Sequence, residues 1–136
     1  MRCRYLFDRL RVRTHRALLL TVAGVLRLIW VISIRPEYYS DFALYLDLAQ
    51  SMADGNGYRM GGALTAFMPP GYPFWLTALI VAHIEPVVGQ VALSVLSVLL
   101  LYMVVRELSG NERVARAAGY LLAFYPNHIA YSSLLA

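Results

Sequence analysis

Two long apolar runs constrain the fold of this chain more than any other feature. Residues 17–34 and 87–105 contain a single charged side chain between them, that of Arg27. The first run has 18 residues, which as a helix rise about 27 Å, close to the roughly 30 Å of a bilayer's hydrocarbon core. The chain is 60% hydrophobic and 15% charged, whereas soluble domains are about 45–50% apolar and about 25% charged. These patterns predict an all-α, polytopic membrane protein.

The first 16 residues are strongly basic, with six arginines and one acid. A basic segment directly before an apolar run favours a cytoplasmic N-terminus, residues 1–16, followed by a first transmembrane helix over residues 17–34. A signal peptide also combines a basic start with an apolar core. This run is long for such a core, however, and no small-residue cleavage site follows it before Arg35 and Pro36. The spanning helix is therefore the favoured interpretation.

The segment of residues 35–86 has the opposite charge balance, with two arginines against five acids. Because arginine concentrates on the cytoplasmic side, this segment is predicted to be an external loop. Ser40 is a favourable N-cap and Gly55 a stop signal, so a helix is predicted over about residues 41–53. Polar residues recur on one side of that helix: Asp47, Gln50, Ser51 and Asp54. This spacing indicates an amphipathic juxtamembrane helix that lies on the membrane rather than crossing it.

A second juxtamembrane helix is predicted over residues 72–84, a run of 13 residues that is too short to span comfortably. Residues 87–105 then cross inward as the second transmembrane helix, which places the arginines of residues 106–116 in a cytoplasmic loop. Residues 117–136 form a third transmembrane helix. The predicted architecture is about three transmembrane helices plus two short external helices. Because the sequence stops inside an apolar run, we expect it to be the N-terminal part of a longer chain.

Asp41 and Arg27 are candidate functional residues. Asp41 begins the first juxtamembrane helix, where a carboxylate held near lipid could act as a general base. Alternatively, Asp41 only complements the helix dipole, which is worth about 0.3–1 kcal/mol. Arg27 lies inside the first span, where an arginine costs at least about 2.5 kcal/mol on insertion scales. Its partner is predicted to be Asp41 or a lipid phosphate, unless the side chain extends outward along the helix.

The remaining polar residues of the apolar segments favour structural roles. Pro126 is predicted to kink the last span, with Asn127 and His128 able to satisfy the freed backbone carbonyl. The histidines and the single cysteine, Cys3, lack the spacing of metal ligands, so no metal is predicted. The arginines lie beside apolar segments rather than on a soluble basic face, which argues against nucleic acid as a partner.

Four short motifs follow one another along the chain: Ser40 to Tyr45 with Ala49 four residues on, Met68 to Pro73, Val104 to Gly110, and Phe124 to Pro126 with Tyr131 to Ser133. In this order they resemble the GT-C class of membrane glycosyltransferases, in particular the protein O-mannosyltransferase and aminoarabinose transferase group. Members carry an Asp just after the first span, followed by Tyr and Ala at helical spacing. They also carry a double proline before a short apolar helix. The resemblance covers about the whole chain from residue 17 onward.

The resemblance implies a glycosyltransferase of the plasma membrane. A polyprenyl-phosphate sugar would be the donor, without a further cofactor, and a glycan, lipid or protein hydroxyl on the external face would be the acceptor. Asp41 would be the catalytic base, giving inversion at the anomeric carbon, and Tyr45 and Arg27 would bind substrate. Phe42 and Met68 depart from the acid and the basic residue that some relatives carry there, which leaves donor and acceptor preference open.

The resemblance also implies that this segment is inactive by itself, because the family's later spans complete the donor cavity. A different class stays open: a non-catalytic small membrane subunit or a transporter fragment. Transporter sites lie near the bilayer midplane, so that alternative predicts functional sensitivity at Arg27 and His128 rather than at Asp41.

Overall fold

The computed structural model describes residues 2–34 and 41–132, with the side chains of residues 13–34 and 42–132. Helices dominate this part of the chain, and the only strands within it form one short hairpin. In chain order, the elements are α1 (Arg2–Ser33), α2 (Asp41–Ala53), β1 (Arg59–Met60), β2 (Ala63–Leu64), α3 (Gly71–Val81), α4 (Pro86–Ser109), α5 (Glu112–Phe124) and α6 (Pro126–Ala130).

The helices α1, α4 and α5 pack into a three-helix bundle. Helix α4 runs antiparallel to α1, because Arg16 contacts Tyr102 near one end and Arg27 contacts Ser94 towards the other. The core between the helices mixes small and large side chains: Leu19, Ala23, Val98, Tyr102, Ala115 and Ala123. Small residues at helix contacts let the backbones approach closely, as is common where helices associate in lipid.

Within the described residues, two helices are long and apolar enough to cross a membrane: residues Arg13–Ser33 within α1, and all of α4. Only 17% of the first window and 22% of the second is buried inside the protein. The central helix of a soluble protein would be mostly buried, whereas these helices direct large apolar side chains outward. On α1 and α4 these include Leu18, Leu28, Ile29, Ile32, Val88, Leu100, Met103 and Leu108. A mostly uncovered apolar surface of this kind is suited to lipid contact.

The chain between α1 and α4 forms a smaller unit, which consists of α2, the hairpin and α3. Helix α2 runs over Asp41–Ala53, the range that the sequence predicts, and packs against α3 around Ala49, Leu76 and Leu79. The hairpin closes through a two-residue turn at Gly61 and Gly62, whose φ angles are 59° and 84°. Two positive φ angles define a type I′ turn, which glycine adopts without strain.

The N-terminal and C-terminal helices differ from the sequence expectation. Helix α1 already begins at Arg2, so the basic segment continues the helix of the first predicted span. The third predicted span is divided, because α5 ends at Phe124 and α6 begins at Pro126. At 13 residues, α5 rises about 20 Å, which is less than the hydrocarbon thickness. The predicted kink at Pro126 is thus a full interruption of the helix.

Gly119 of α5 lies against the side chains of Leu19 on α1 and Tyr102 on α4, and enlarging it is expected to destabilise the bundle. A Cβ atom at this position would lie 2.7 Å from Cδ2 of Leu19 and 3.5 Å from Cβ of Tyr102. Gly119→Leu should therefore lower the free energy of unfolding by about 1–3 kcal/mol through overpacking, measured by thermal unfolding in detergent. Gly24→Leu is the matched control, because no atom lies within 4 Å of a Cβ added there. Equal stability of the two variants would contradict this packing.

Candidate functional site

Among the described side chains, the most buried charged group is the guanidinium of Arg27, in the second half of α1. Its side chain is 0% exposed, although a charged group in an apolar setting requires partners for its donors. Nε donates to Oγ of Ser94 on α4 at 2.6 Å, and Nη1 donates to the carbonyl oxygen of Ala23 at 2.8 Å. Nη2 lies 2.6 Å from Nδ1 of His128 on α6. One arginine therefore joins α1 to α4 and α6.

The contact with His128 assigns a role to each ring nitrogen. A guanidinium carries donors only, so Nδ1 must accept from Nη2. The neutral ring then carries its proton on Nε2. Oγ of Ser94 lies 3.2 Å from the same Nδ1. Each of Arg27, Ser94 and His128 therefore contacts the other two. We call these three residues the Arg27 triad.

The Arg27 triad lies where α5 is interrupted. Tyr125 has an extended backbone (φ −66°, ψ 114°), and Pro126 has no N–H to continue the helix. The carbonyl of Ala123 near this break accepts from Nη1 of Arg27 at 3.4 Å. A cation is also favourable beside the partially negative C-terminus of a helix. Asn127 and His128 were expected to satisfy the freed carbonyl, whereas the side-chain donor that the structure places at the carbonyl of Ala123 is Arg27 of α1.

These contacts bear directly on the two sequence predictions for Arg27. The side chain does not extend outward to the surface, since it is fully buried within the bundle. Its partners among the described residues are Ser94, His128 and two backbone carbonyls. Binding of a lipid phosphate by Arg27 therefore stays a prediction, and it would require the guanidinium to exchange one of these partners.

Tyr45, the second predicted substrate-binding residue, lies in the contact between α2 and α3. Its ring meets that of Tyr72 edge-on, with the centroids 5.4 Å apart and the planes at 89°. Trp75 packs against the same cluster, and its Nε1 is buried without a hydrogen-bond partner among the described residues. Thr77 ties the two helices together by donating to the carbonyl of Ala49 at 3.2 Å. Tyr45 thus belongs to an aromatic cluster that lacks the residues of the Arg27 triad.

Asp41, the predicted catalytic base, is the first residue of α2. The backbone therefore places it as the sequence predicts, at the start of the helix that follows the first long apolar helix. Its side chain lies outside the described residues, as do residues 35–40 before it. The prediction that Asp41 acts as a base, and that it pairs with Arg27, stays a prediction.

A polar groove of about 680 Å³ lies between the end of α2 and the hairpin. Its lining consists of Asp47, Ser51, Gly55, Asn56, Arg59, Gly61 and Gly62. Arg59 bridges the hairpin by donating to the carbonyls of Asn56 at 2.9 Å and Gly62 at 3.0 Å. Asp47 follows Tyr45 by two residues, which is about 200° around the helix. The groove therefore faces away from the aromatic cluster.

A second polar network, which the sequence did not indicate, lies at the opposite end of the bundle. The hydroxyl of Tyr102, on α4, lies 2.7 Å and 2.9 Å from the two carboxylate oxygens of Glu112. Nε of Arg16, on α1, donates to the same hydroxyl at 3.1 Å. Glu112 also pairs with Arg106 at 3.2 Å and with Arg116 at 3.9 Å. The tyrosine near the end of a long apolar run was the available signal, but its partners are set by the fold.

The chain matches no family model, no curated protein and no solved structure. No three His, Cys, Asp or Glu side chains within the described residues are grouped to hold a metal ion. The candidate residues are an acid at the start of α2, an aromatic cluster between α2 and α3, and a buried arginine in the bundle.

Proposed function

We propose that this protein is a membrane glycosyltransferase that transfers a sugar from a polyprenyl-phosphate donor to an acceptor hydroxyl on the external face of the plasma membrane. The observation that carries the proposal is the arrangement of its elements. A long apolar helix is followed directly by a compact pair of short helices, with Asp41 at the start of the first, and then by a second long apolar helix. That order agrees with the motifs that resemble GT-C enzymes.

In this proposal α1 and α4 span the membrane, and α5 with α6 forms the third, interrupted, span. The N-terminus is cytoplasmic because arginines of α1 and of the α4–α5 turn then lie on the same, positive, side. Helices α2 and α3 lie at the external interface. Helix α2 supports this placement, since Asp47, Gln50 and Asp54 are exposed while Leu48 and Ala49 are buried.

The proposed reaction is a single displacement at the anomeric carbon. Asp41 accepts the proton of the acceptor hydroxyl, the hydroxyl oxygen forms a bond to the anomeric carbon, and the bond from that carbon to the phosphate oxygen breaks. The sugar configuration inverts, and polyprenyl phosphate leaves. Positive groups stabilise the departing phosphate. Tyr45, and Arg27 if it exchanges a partner, are the proposed substrate contacts.

The direct test is sugar transfer by the full-length protein reconstituted in lipid. We expect release of polyprenyl phosphate and inverted product from a polyprenyl-phosphate sugar, and no product from the matching nucleotide sugar. Donors should be tried with several sugars, because the residues do not select one. A folded, reconstituted protein that releases no polyprenyl phosphate from any of these donors would contradict the proposal.

A second candidate is a non-catalytic membrane subunit or a transporter, and one observation favours it. The sequence placed the critical residues of that alternative at Arg27 and His128, and these two side chains are in contact at 2.6 Å. This candidate would be supported over the enzyme if variants of Arg27 and His128 lost a transport or assembly function. The Asp41→Asn variant should then retain that function.

A further inference from the structure

Arginines from three parts of the chain meet at the end of the bundle where α1 approaches the α4–α5 turn. We call this surface the arginine end, and it comprises Arg13, Arg16, Arg106, Arg113 and Arg116. The contacts of Tyr102 with Arg16 and with Glu112 bring the α1 residues to the turn. Residues 13–16 and 106–116 contain two acids, Glu107 and Glu112, against five arginines, so positive charge is in clear excess.

Glu112 cannot neutralise the whole surface, because its carboxylate is already shared. Both of its oxygens contact the hydroxyl of Tyr102, and Arg106 and Arg116 pair with one oxygen each. The side chains of Arg106 and Arg116 remain 47% and 28% exposed. They can therefore contact a further anion while they hold the glutamate.

Arg13 and Arg113 are exposed, and neither side chain has an ion pair within the described part of the chain. Arg113 follows Glu112 in the first turn of α5, and Arg13 lies about one turn before Arg16 on α1. A guanidinium matches the geometry of a phosphate through two parallel hydrogen bonds. Within the described residues, the arginine end thus offers two guanidinium groups without an ion pair beside two that share Glu112.

We propose that the arginine end binds the phosphate of anionic phospholipid headgroups in the cytoplasmic leaflet. The inference rests on the membrane orientation given under the proposed function, but not on sugar transfer. Two observations carry it: the charge complementarity of the surface, and its position where the apolar part of α1, Arg13–Ser33, and α4 both end, since these segments direct apolar side chains outward. A lipid whose acyl chains lie along those apolar faces would have its phosphate at the level of the arginine end.

The test uses the full-length protein in detergent with equimolar phosphatidylglycerol and phosphatidylcholine, and native mass spectrometry counts the bound lipids. Each arginine at an anionic surface contributes roughly a fivefold preference. The double variant Arg13→Gln/Arg113→Gln should therefore reduce the preference for phosphatidylglycerol at least about fivefold. Arg59→Gln is the matched control, because Arg59 is an exposed arginine in the hairpin, within the unit of α2 and α3. It should leave the preference unchanged.

Three outcomes would overturn the inference: no preference in the unmodified protein, no loss in the double variant, or an equal loss in the Arg59 control. Unchanged thermal unfolding of the double variant shows that the fold is retained, since both side chains are exposed. The results of this test can be distinguished from those of the test for sugar transfer. A protein that prefers phosphatidylglycerol but transfers no sugar contradicts the enzyme alone, and the reverse result contradicts this inference alone.

Discussion

Replacing Arg27 by methionine is expected to lower the free energy of unfolding by about 2–4 kcal/mol, more than any substitution at an exposed arginine. Methionine has a long, adaptable side chain that can occupy much of the space, so the loss comes mainly from hydrogen bonding. Nε, Nη1 and Nη2 all have partners, and the side chain is fully buried. Hydrogen bonds from a charged donor contribute about 1.5–3 kcal/mol each.

Two compensations keep the expected loss below the sum of those bonds. Ser94 and His128 lie 3.2 Å apart, so they can satisfy each other once the guanidinium is removed. The substitution also removes the insertion cost of an arginine, at least about 2.5 kcal/mol.

The carbonyl of Ala123 at the break between α5 and α6 loses its contact with Arg27 in this variant. The connection of α1 to α6 should weaken as a result.

Thermal unfolding in detergent measures this effect, and a fall in the midpoint on the order of 10 °C is expected. Arg59→Met provides the control at an exposed arginine. A double-mutant cycle with His128→Leu tests the contact itself, because residues in direct contact give non-additive effects. The Arg27→Met/His128→Leu double variant should lose less unfolding free energy than the sum of the losses in the two single variants. A methionine variant as stable as the unmodified protein would show that the Arg27 triad makes no net contribution.

The parts of the fold that local patterns determine were predictable from the sequence. Helix α2 has the predicted bounds, and the predicted stop signal, Gly55, has a φ of 79° just beyond the end of the helix. Its exposed and buried residues also follow the predicted amphipathic spacing. The two helices that are long and apolar enough to cross a membrane correspond to the two longest apolar runs. Both features depend on residues a few positions apart.

The partners of Arg27 were not predictable, since they are 67 and 101 residues distant in the chain. Its burial cost indicated that some partner must exist, and the sequence offered Asp41 or a lipid phosphate. Helix packing instead supplies Ser94 and His128. The interruption after Phe124 has a similar origin. Pro126 predicted a kink, but only the approach of α1 provides the donor that contacts the carbonyl of Ala123.

Asp41→Asn in the full-length protein is expected to reduce the rate of sugar transfer about 10²–10⁴-fold, the range that a general base contributes. Asparagine has nearly the same shape but cannot accept the proton of the acceptor hydroxyl. Binding of the polyprenyl-phosphate donor should change little, because the proposed role of Asp41 concerns the acceptor. The measurement is the initial rate of polyprenyl phosphate release at saturating donor, together with the thermal unfolding midpoint.

Two further aspartates allow the role of Asp41 to be separated from simple effects of charge. Asp54→Asn removes an exposed acid that accepts a hydrogen bond from Gln50 at 2.9 Å just beyond α2, and it should leave the rate unchanged. Asp47→Asn removes the acid of the polar groove, so a loss confined to this variant would place the base there instead. If Asp41 only complements the helix dipole, Asp41→Asn would lower stability by about 0.3–1 kcal/mol and leave transfer intact. A large rate loss with an unchanged unfolding midpoint therefore supports the base and excludes the purely structural role.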